Sequence, residues 1–301
     1  MKNKRLVTSY FGLPPAWRLA LYFILFIIAL FGGLRWIEHA MTYHPQGFVS
    51  GAAWQLPANG EEVWFANAQS ERLPQGKRLP QERLHGWLVR ATQQPARATV
   101  LHCHGNGGNL THVRWFAEEL ARRGFDVLIW DYRGYGRSDG KLTDEWGLYA
   151  DGDAAYAWLT KERGVKPENL IIYGQSLGST VAIDLAARQP AAALVIESGL
   201  SSASAMATAA LPWLPSWLHR IGKNRFESAR KLASVKAPVF IAHGTADEVI
   251  PVAQSQTNYA IAREPKELLL IEGGDHNLFG RHHAEIIERM SAFVGRRASV
   301  K

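Results

Sequence analysis

Three side chains in this sequence form a set that could carry out nucleophilic chemistry on a carbonyl: Ser176, Asp247 and His276. Ser176 lies in Gly174-Gln175-Ser176-Leu177-Gly178, between the apolar run Leu170-Ile171-Ile172-Tyr173 and a helix-like stretch from Ser179 to Arg188. A serine at a sharp strand-to-helix turn is exposed for attack, and glycines two places to either side remove the Cβ atoms that would crowd it. An ordinary serine in a tight turn has the same five-residue pattern, so the surrounding segments must decide. Asp247 follows the apolar run Val239-Phe240-Ile241-Ala242, in His243-Gly244-Thr245-Ala246-Asp247. His276 follows Leu268-Leu269-Leu270-Ile271 and the turn Glu272-Gly273-Gly274-Asp275. In this arrangement Ser176 attacks, His276 takes its proton and Asp247 orients the imidazole. Glu248 and Glu197 are alternative acids. Asp275 is a poor orienter, because adjacent loop side chains diverge.

A tetrahedral intermediate also needs backbone N–H donors. Leu177, just after the serine, supplies one. The glycine-rich turn Gly105-Asn106-Gly107-Gly108, after the run Ala98–Cys103, supplies the other, with Asn106 the first choice and Gly107 the second. Gly105 and Gly107 let the chain approach a substrate. A phosphate nest is the competing use of such a turn, but the lysine of a P-loop is missing. The single cysteine, Cys103, rules out an internal disulfide and reads as packing. His102 and His104 lack a nearby third ligand at zinc spacing, so no metal is expected, and attack by a serine needs no cofactor.

These pieces resemble the membrane-anchored α/β-hydrolases related to monoacylglycerol lipases and palmitoyl-protein thioesterases. They are also similar to the prolyl-oligopeptidase-like and serine-aminopeptidase-like branches. The resemblance rests on His104-Gly105-Asn106, Asp131-Tyr132-Arg133-Gly134-Tyr135-Gly136-Arg137-Ser138, the Ser176 pentapeptide, His243–Asp247 and Asp275-His276, and it spans about 41 to 294. It implies an α/β-hydrolase fold and serine hydrolase machinery acting on acyl esters or thioesters. It leaves the substrate open between esters, thioesters and lipids. Peptidase or amidase action and a non-catalytic, membrane-tethered binding module are the alternatives.

The elements that must position these residues read as alternating strands and helices, implying a mostly parallel sheet covered on both faces. Glu62–Phe65 and Leu84–Val89 look like initial antiparallel strands, joined by a polar hairpin-like segment with Pro74 and Pro80. Helices are expected near Thr111–Arg123, up to about Arg163, and just after Pro251. Asp151 and Asp153 read as solvated or capping residues. Residues 198–237 interrupt the rhythm and read as a small helical cap, with Trp213 and Trp217 either lining an apolar acyl pocket, facing lipid, or packing on the sheet.

The N-terminus supplies a different signal. From Leu19 to Leu34 no residue is charged, and Trp17, Arg18, Arg35 and Trp36 flank the run. A helix of that length spans about 24 Å, slightly short of the roughly 30 Å hydrocarbon core. The division expected is a basic tail over 1–18, a transmembrane anchor over 19–36 and a hydrolase domain over 41–301. An uncleaved anchor is favoured over a signal peptide, because the cleavage site is poor. Five of the seven net positive charges lie in residues 1–35, which hold no acid. That bias places the N-terminus in the cytoplasm and the catalytic domain across the membrane, on the periplasmic face of the inner membrane in a bacterium. It also accounts for the high pI without a basic groove, so no nucleic-acid partner is expected.

Overall fold

The computed structural model describes residues 15–66, 81–213, 215, 217–220 and 222–298. The segment carrying Pro74 and Pro80 lies outside the described residues. The chain divides at Met41/Thr42 into a helical segment and a larger body.

Helix α1, Pro15–Thr42, is 28 residues long, about 42 Å at 1.5 Å per residue. It extends eight residues beyond the uncharged run, because Arg35 and Glu38 pair along the helix at 3.1 Å rather than ending it. The stretch Trp17–Thr42 is long and apolar enough to cross a membrane, and Leu, Ile and Phe side chains are exposed along it. The sequence therefore understates the length of the helix.

The body is built on eight strands: β1 Gly60–Ala66, β2 Arg83–Val89, β3 Ala98–Cys103, β4 Phe125–Trp130, β5 Leu170–Gln175, β6 Ala193–Glu197, β7 Val239–Gly244 and β8 Lys266–Ile271. Their order across the sheet is β8-β7-β6-β5-β3-β4-β2-β1. Strand β2 runs antiparallel to both β1 and β4, and every other pairing is parallel. Strands β3, β4 and β7 are buried at every residue, the pattern of a sheet covered on both faces.

Period-two alternation divides these strands between two cores. Leu101, Leu128, Ile172, Leu194 and Ile241 face one cluster with Leu148, Val181 and Leu185. These come from α3, Glu145–Ala157, and α4, Leu177–Ala186. Val100, Val127, Ile171, Val195 and Phe240 face the other with Phe116, Leu120, Ile286 and Met290. Here the helices are α2, Arg114–Arg122, and α8, Leu278–Ala298. Between β6 and β7 lie α5, Ala203–Ala210, and α6, Ser228–Leu232; between β7 and β8 lies α7, Ala253–Ile261.

One expectation is corrected by packing. Asp151 is neither solvated nor a cap: it is fully buried on α3 and accepts from the Arg133 backbone N–H at 2.9 Å and from its guanidinium. Arg133 is buried with it. The pair joins the loop after β4 to α3.

Candidate functional site

The Ser176 turn is set by its glycines. Ser176 has φ 51° and ψ −122°, a left-handed backbone that a side chain rarely adopts. A Cβ on Gly178 would sit 2.0 Å from the Cys103 carbonyl oxygen, and one on Gly174 would sit 2.6 Å from the Ala182 Cβ. Bare backbone at both positions lets α4 start directly against β3 and β5. Because Leu177 is the first residue of α4, its N–H has no carbonyl in a preceding helical turn to bond. The Gly105 turn passes beside Ser176: a Cβ there would stand 3.5 Å from the Ser176 Cβ.

The three expected side chains converge. Ser176 Oγ lies 3.0 Å from His276 Nε2. His276 Nδ1 lies 2.8 Å from Asp247 Oδ2. The hydrogen-bond network assigns the tautomer, with Nδ1–H donating to the carboxylate and Nε2 accepting from the serine. Asp247 Oδ1 accepts from the Val249 and Ile250 amides, each at 2.8 Å. Ser198, itself at φ 46°, donates its hydroxyl to the His276 carbonyl at 3.2 Å and steadies that loop.

A second histidine shares the carboxylate, and the sequence reading missed it. His243 Nε2 lies 3.1 Å from Asp247 Oδ2 and 2.8 Å from the Ile250 carbonyl. Its Nδ1 accepts from the Ser255 hydroxyl at 2.5 Å. The signal was the four-residue spacing from His243 to Asp247 across the strand end, which carries no chemistry by itself. Burial opposes ionisation of Asp247, but hydrogen bonds from His243, His276 and the Ile250 amide outweigh it and hold the carboxyl well below the usual carboxylate range.

The other acids are occupied elsewhere. Glu197 accepts from the Tyr173 hydroxyl, the Gln175 amide and the Phe279 N–H, and burial pushes its carboxyl up. Asp275 accepts from the Asn277 N–H at 3.0 Å. Glu248 is exposed. Cys103 is buried, and that burial pushes its thiol far up, out of nucleophilic range. His102 is packed 4.2 Å from Phe116, centroid to centroid, with Nδ1 lacking a protein partner. His104 Nδ1 faces the Gly105 carbonyl at 2.8 Å.

Trp213 and Trp217 stand in solvent, 76% and 64% exposed. They present aromatic surface outward rather than packing on the sheet. Gly107 has open space where a Cβ would stand. A cavity of about 460 Å³ opens between α5, the 219–230 segment and α7, lined by Ser201, His219 and Arg225 among others, and no member of the Ser176 group lines it.

Fold and site together describe a hydrolase of the doubly covered, parallel-sheet kind, and comparison with known proteins agrees. Residues 94–233 match the family described as serine aminopeptidase, S33. The uncharacterised protein Rv2307c of Mycobacterium tuberculosis (strain H37Rv) is 36% identical over 229 residues, covering 73% of this chain and 80% of that protein. Human alpha/beta hydrolase domain-containing protein 17B is 33% identical over 257 residues, covering 81% of this chain and 83% of that protein. The structure of the Pyrococcus furiosus esterase Pf2001 shares the fold, with a TM-score of 0.65 and 22% identity over 84% of this chain and 98% of that one. The chain belongs to the α/β-hydrolase family.

Proposed function

We propose that this protein is a serine hydrolase that cleaves carboxylic esters or thioesters of acyl substrates through an acyl-enzyme on Ser176. The observation that carries the reading is the unbroken chain of hydrogen-bonding distances from Ser176 Oγ through His276 to Asp247 Oδ2, at a serine held in a left-handed backbone. His276 Nε2 takes the serine proton as Oγ bonds to the carbonyl carbon. The Leu177 and Asn106 N–H groups stabilise the oxyanion. The proton then passes to the leaving alcohol or thiol. Water attacks the acyl-enzyme by the same base chemistry, releasing the carboxylic acid and restoring Ser176.

The membrane enters this reading through α1. An apolar 28-residue helix suits a bilayer anchor, and the charge bias of residues 1–35 orients it with the N-terminus in the cytoplasm and the body on the opposite face. Tethering keeps the site near lipid. Residues 198–237 then serve as a cap, and the outward-facing Trp213 and Trp217 suit the lipid interface. Together these favour substrates with an aliphatic acyl chain.

The test is turnover of p-nitrophenyl acyl esters of graded chain length, with fluorophosphonate labelling in parallel. Ser176→Ala is expected to abolish labelling and to lower turnover by about 10³-fold or more. Retained labelling would remove Ser176 from its role. Amide cleavage is the second reading, favoured by the description of the family that residues 94–233 match. Faster turnover of aminoacyl amides than of esters would select it.

A further inference from the structure

The segment that follows helix α1 is bonded onto the turn assigned to the oxyanion. Residues His44–Pro45 pair in parallel with Gly107–Gly108. The Gln46 N–H donates to the Gly108 carbonyl at 3.2 Å, and the Gln46 carbonyl accepts from the Gly136 N–H at 2.9 Å and the Asn109 side-chain amide at 3.3 Å. Upstream, Tyr43 is buried, and its hydroxyl donates to Asn224 Oδ1 at 2.7 Å. Residues 43–46 thus form a strap whose two ends are fixed on different parts of the body.

Within the strap, one residue grips Asn106. The His44 N–H donates to Asn106 Oδ1 at 2.9 Å, and Asn106 Nδ2 donates to His44 Nδ1 at 2.7 Å. Both ends of the carboxamide are therefore engaged by one partner. The Asn106 carbonyl accepts from the Tyr135 hydroxyl at 3.0 Å. With side chain and carbonyl both held, the group that Asn106 can offer a substrate is its main-chain N–H. Oxyanion stabilisation is steep in geometry, because the donor must already point at the position where charge develops.

We infer that His44 is a positioning residue for the reaction: by clamping the Asn106 carboxamide, it fixes the turn that presents the Asn106 N–H to the oxyanion. The inference rests on the proposed serine hydrolase reading.

The test uses the full-length protein in detergent, p-nitrophenyl butyrate as substrate and an alkyl trifluoromethyl ketone as a tetrahedral, oxyanion-forming inhibitor. His44→Ala keeps the main-chain bond and loses the Nδ1 acceptor. It is expected to lower kcat by about tenfold to a hundredfold, the scale of a donor displaced by about 1 Å. KM should stay within about twofold, and ketone affinity should fall in step with kcat, as lost transition-state binding requires. His44→Asn, whose Oδ1 can stand where Nδ1 stands, should recover most of the loss. The double variant His44→Ala/Asn106→Ala should lose little more than Asn106→Ala alone, since Asn106→Ala already removes both bonds to His44, the one that His44→Ala breaks among them. Wild-type kcat and ketone affinity in His44→Ala would overturn the assignment. So would losses that multiply in the double variant, or a loss that His44→Asn does not recover. Ser176→Ala, run alongside, separates the two ideas: if it still turns over, the hydrolase reading itself falls, whereas an inactive Ser176→Ala beside a fully active His44→Ala removes only the role of His44.

Discussion

Asp247 shows how a single carboxylate is kept both charged and immobile. Two main-chain amides hold one oxygen, and two imidazoles share the other. His243 thus helps to fix the carboxylate that faces His276. Other buried histidines matter to stability instead. His102 is enclosed and kept neutral, with its pKa pushed down to about 3 by burial, helped by the neighbouring His104. The unfolded chain takes up that proton near 6.5, so between 6.5 and about 3 the unfolded state binds more protons and stability falls as pH falls. His102→Leu is expected to flatten this acid limb. Urea midpoints measured from pH 7 to 4 would show it, and a slope equal to wild type would count against the account.

At the scale of elements, the placement of Ser176 depends on how closely a helix can approach two strands. Gly178→Ala would push a methyl group into the Cys103 carbonyl, and neither backbone can move without shifting Ser176. The expected outcome is a loss of turnover of about 10²-fold or more, with a lowered melting temperature. Circular dichroism and ester turnover would test it together. The Arg133–Asp151 pair joins a loop to α3 in the same manner. Asp151→Ala leaves a guanidinium buried without its counter-charge, a change worth about 3–5 kcal/mol of stability. Denaturant unfolding of the variant would measure this, and a cost below about 1 kcal/mol would show that the pair is solvated in the folded protein.

For the whole molecule, the central feature is an apolar helix followed by a self-contained α/β body. The proposed topology predicts that protease added outside spheroplasts of an expressing bacterium digests the body, while a tag at the N-terminus stays protected. The opposite pattern would reverse the orientation without changing the chemistry at Ser176. Charge explains why the prediction is directional: no Lys or Arg follows Trp36 until Arg72, while five precede it.

The sequence by itself determined what is encoded in neighbouring residues. Apolar runs ending in glycine turns gave the strands, their order along the chain and the Ser176 elbow, because strand period and glycine freedom are local properties. An uncharged N-terminal run gave the apolar helix, though not its full length, since Arg35 and Glu38 neutralise each other only once the helix has formed. Tertiary structure decided the rest. It chose Asp247 over Glu197 and Asp275, because 100 residues separate Ser176 from His276 and only the sheet order sets which loop end reaches that imidazole. It buried Asp151, added His243 to the carboxylate and laid His44 on Asn106 across 62 residues of chain. Such contacts join segments whose local patterns are unrelated, so no spacing in the sequence records them.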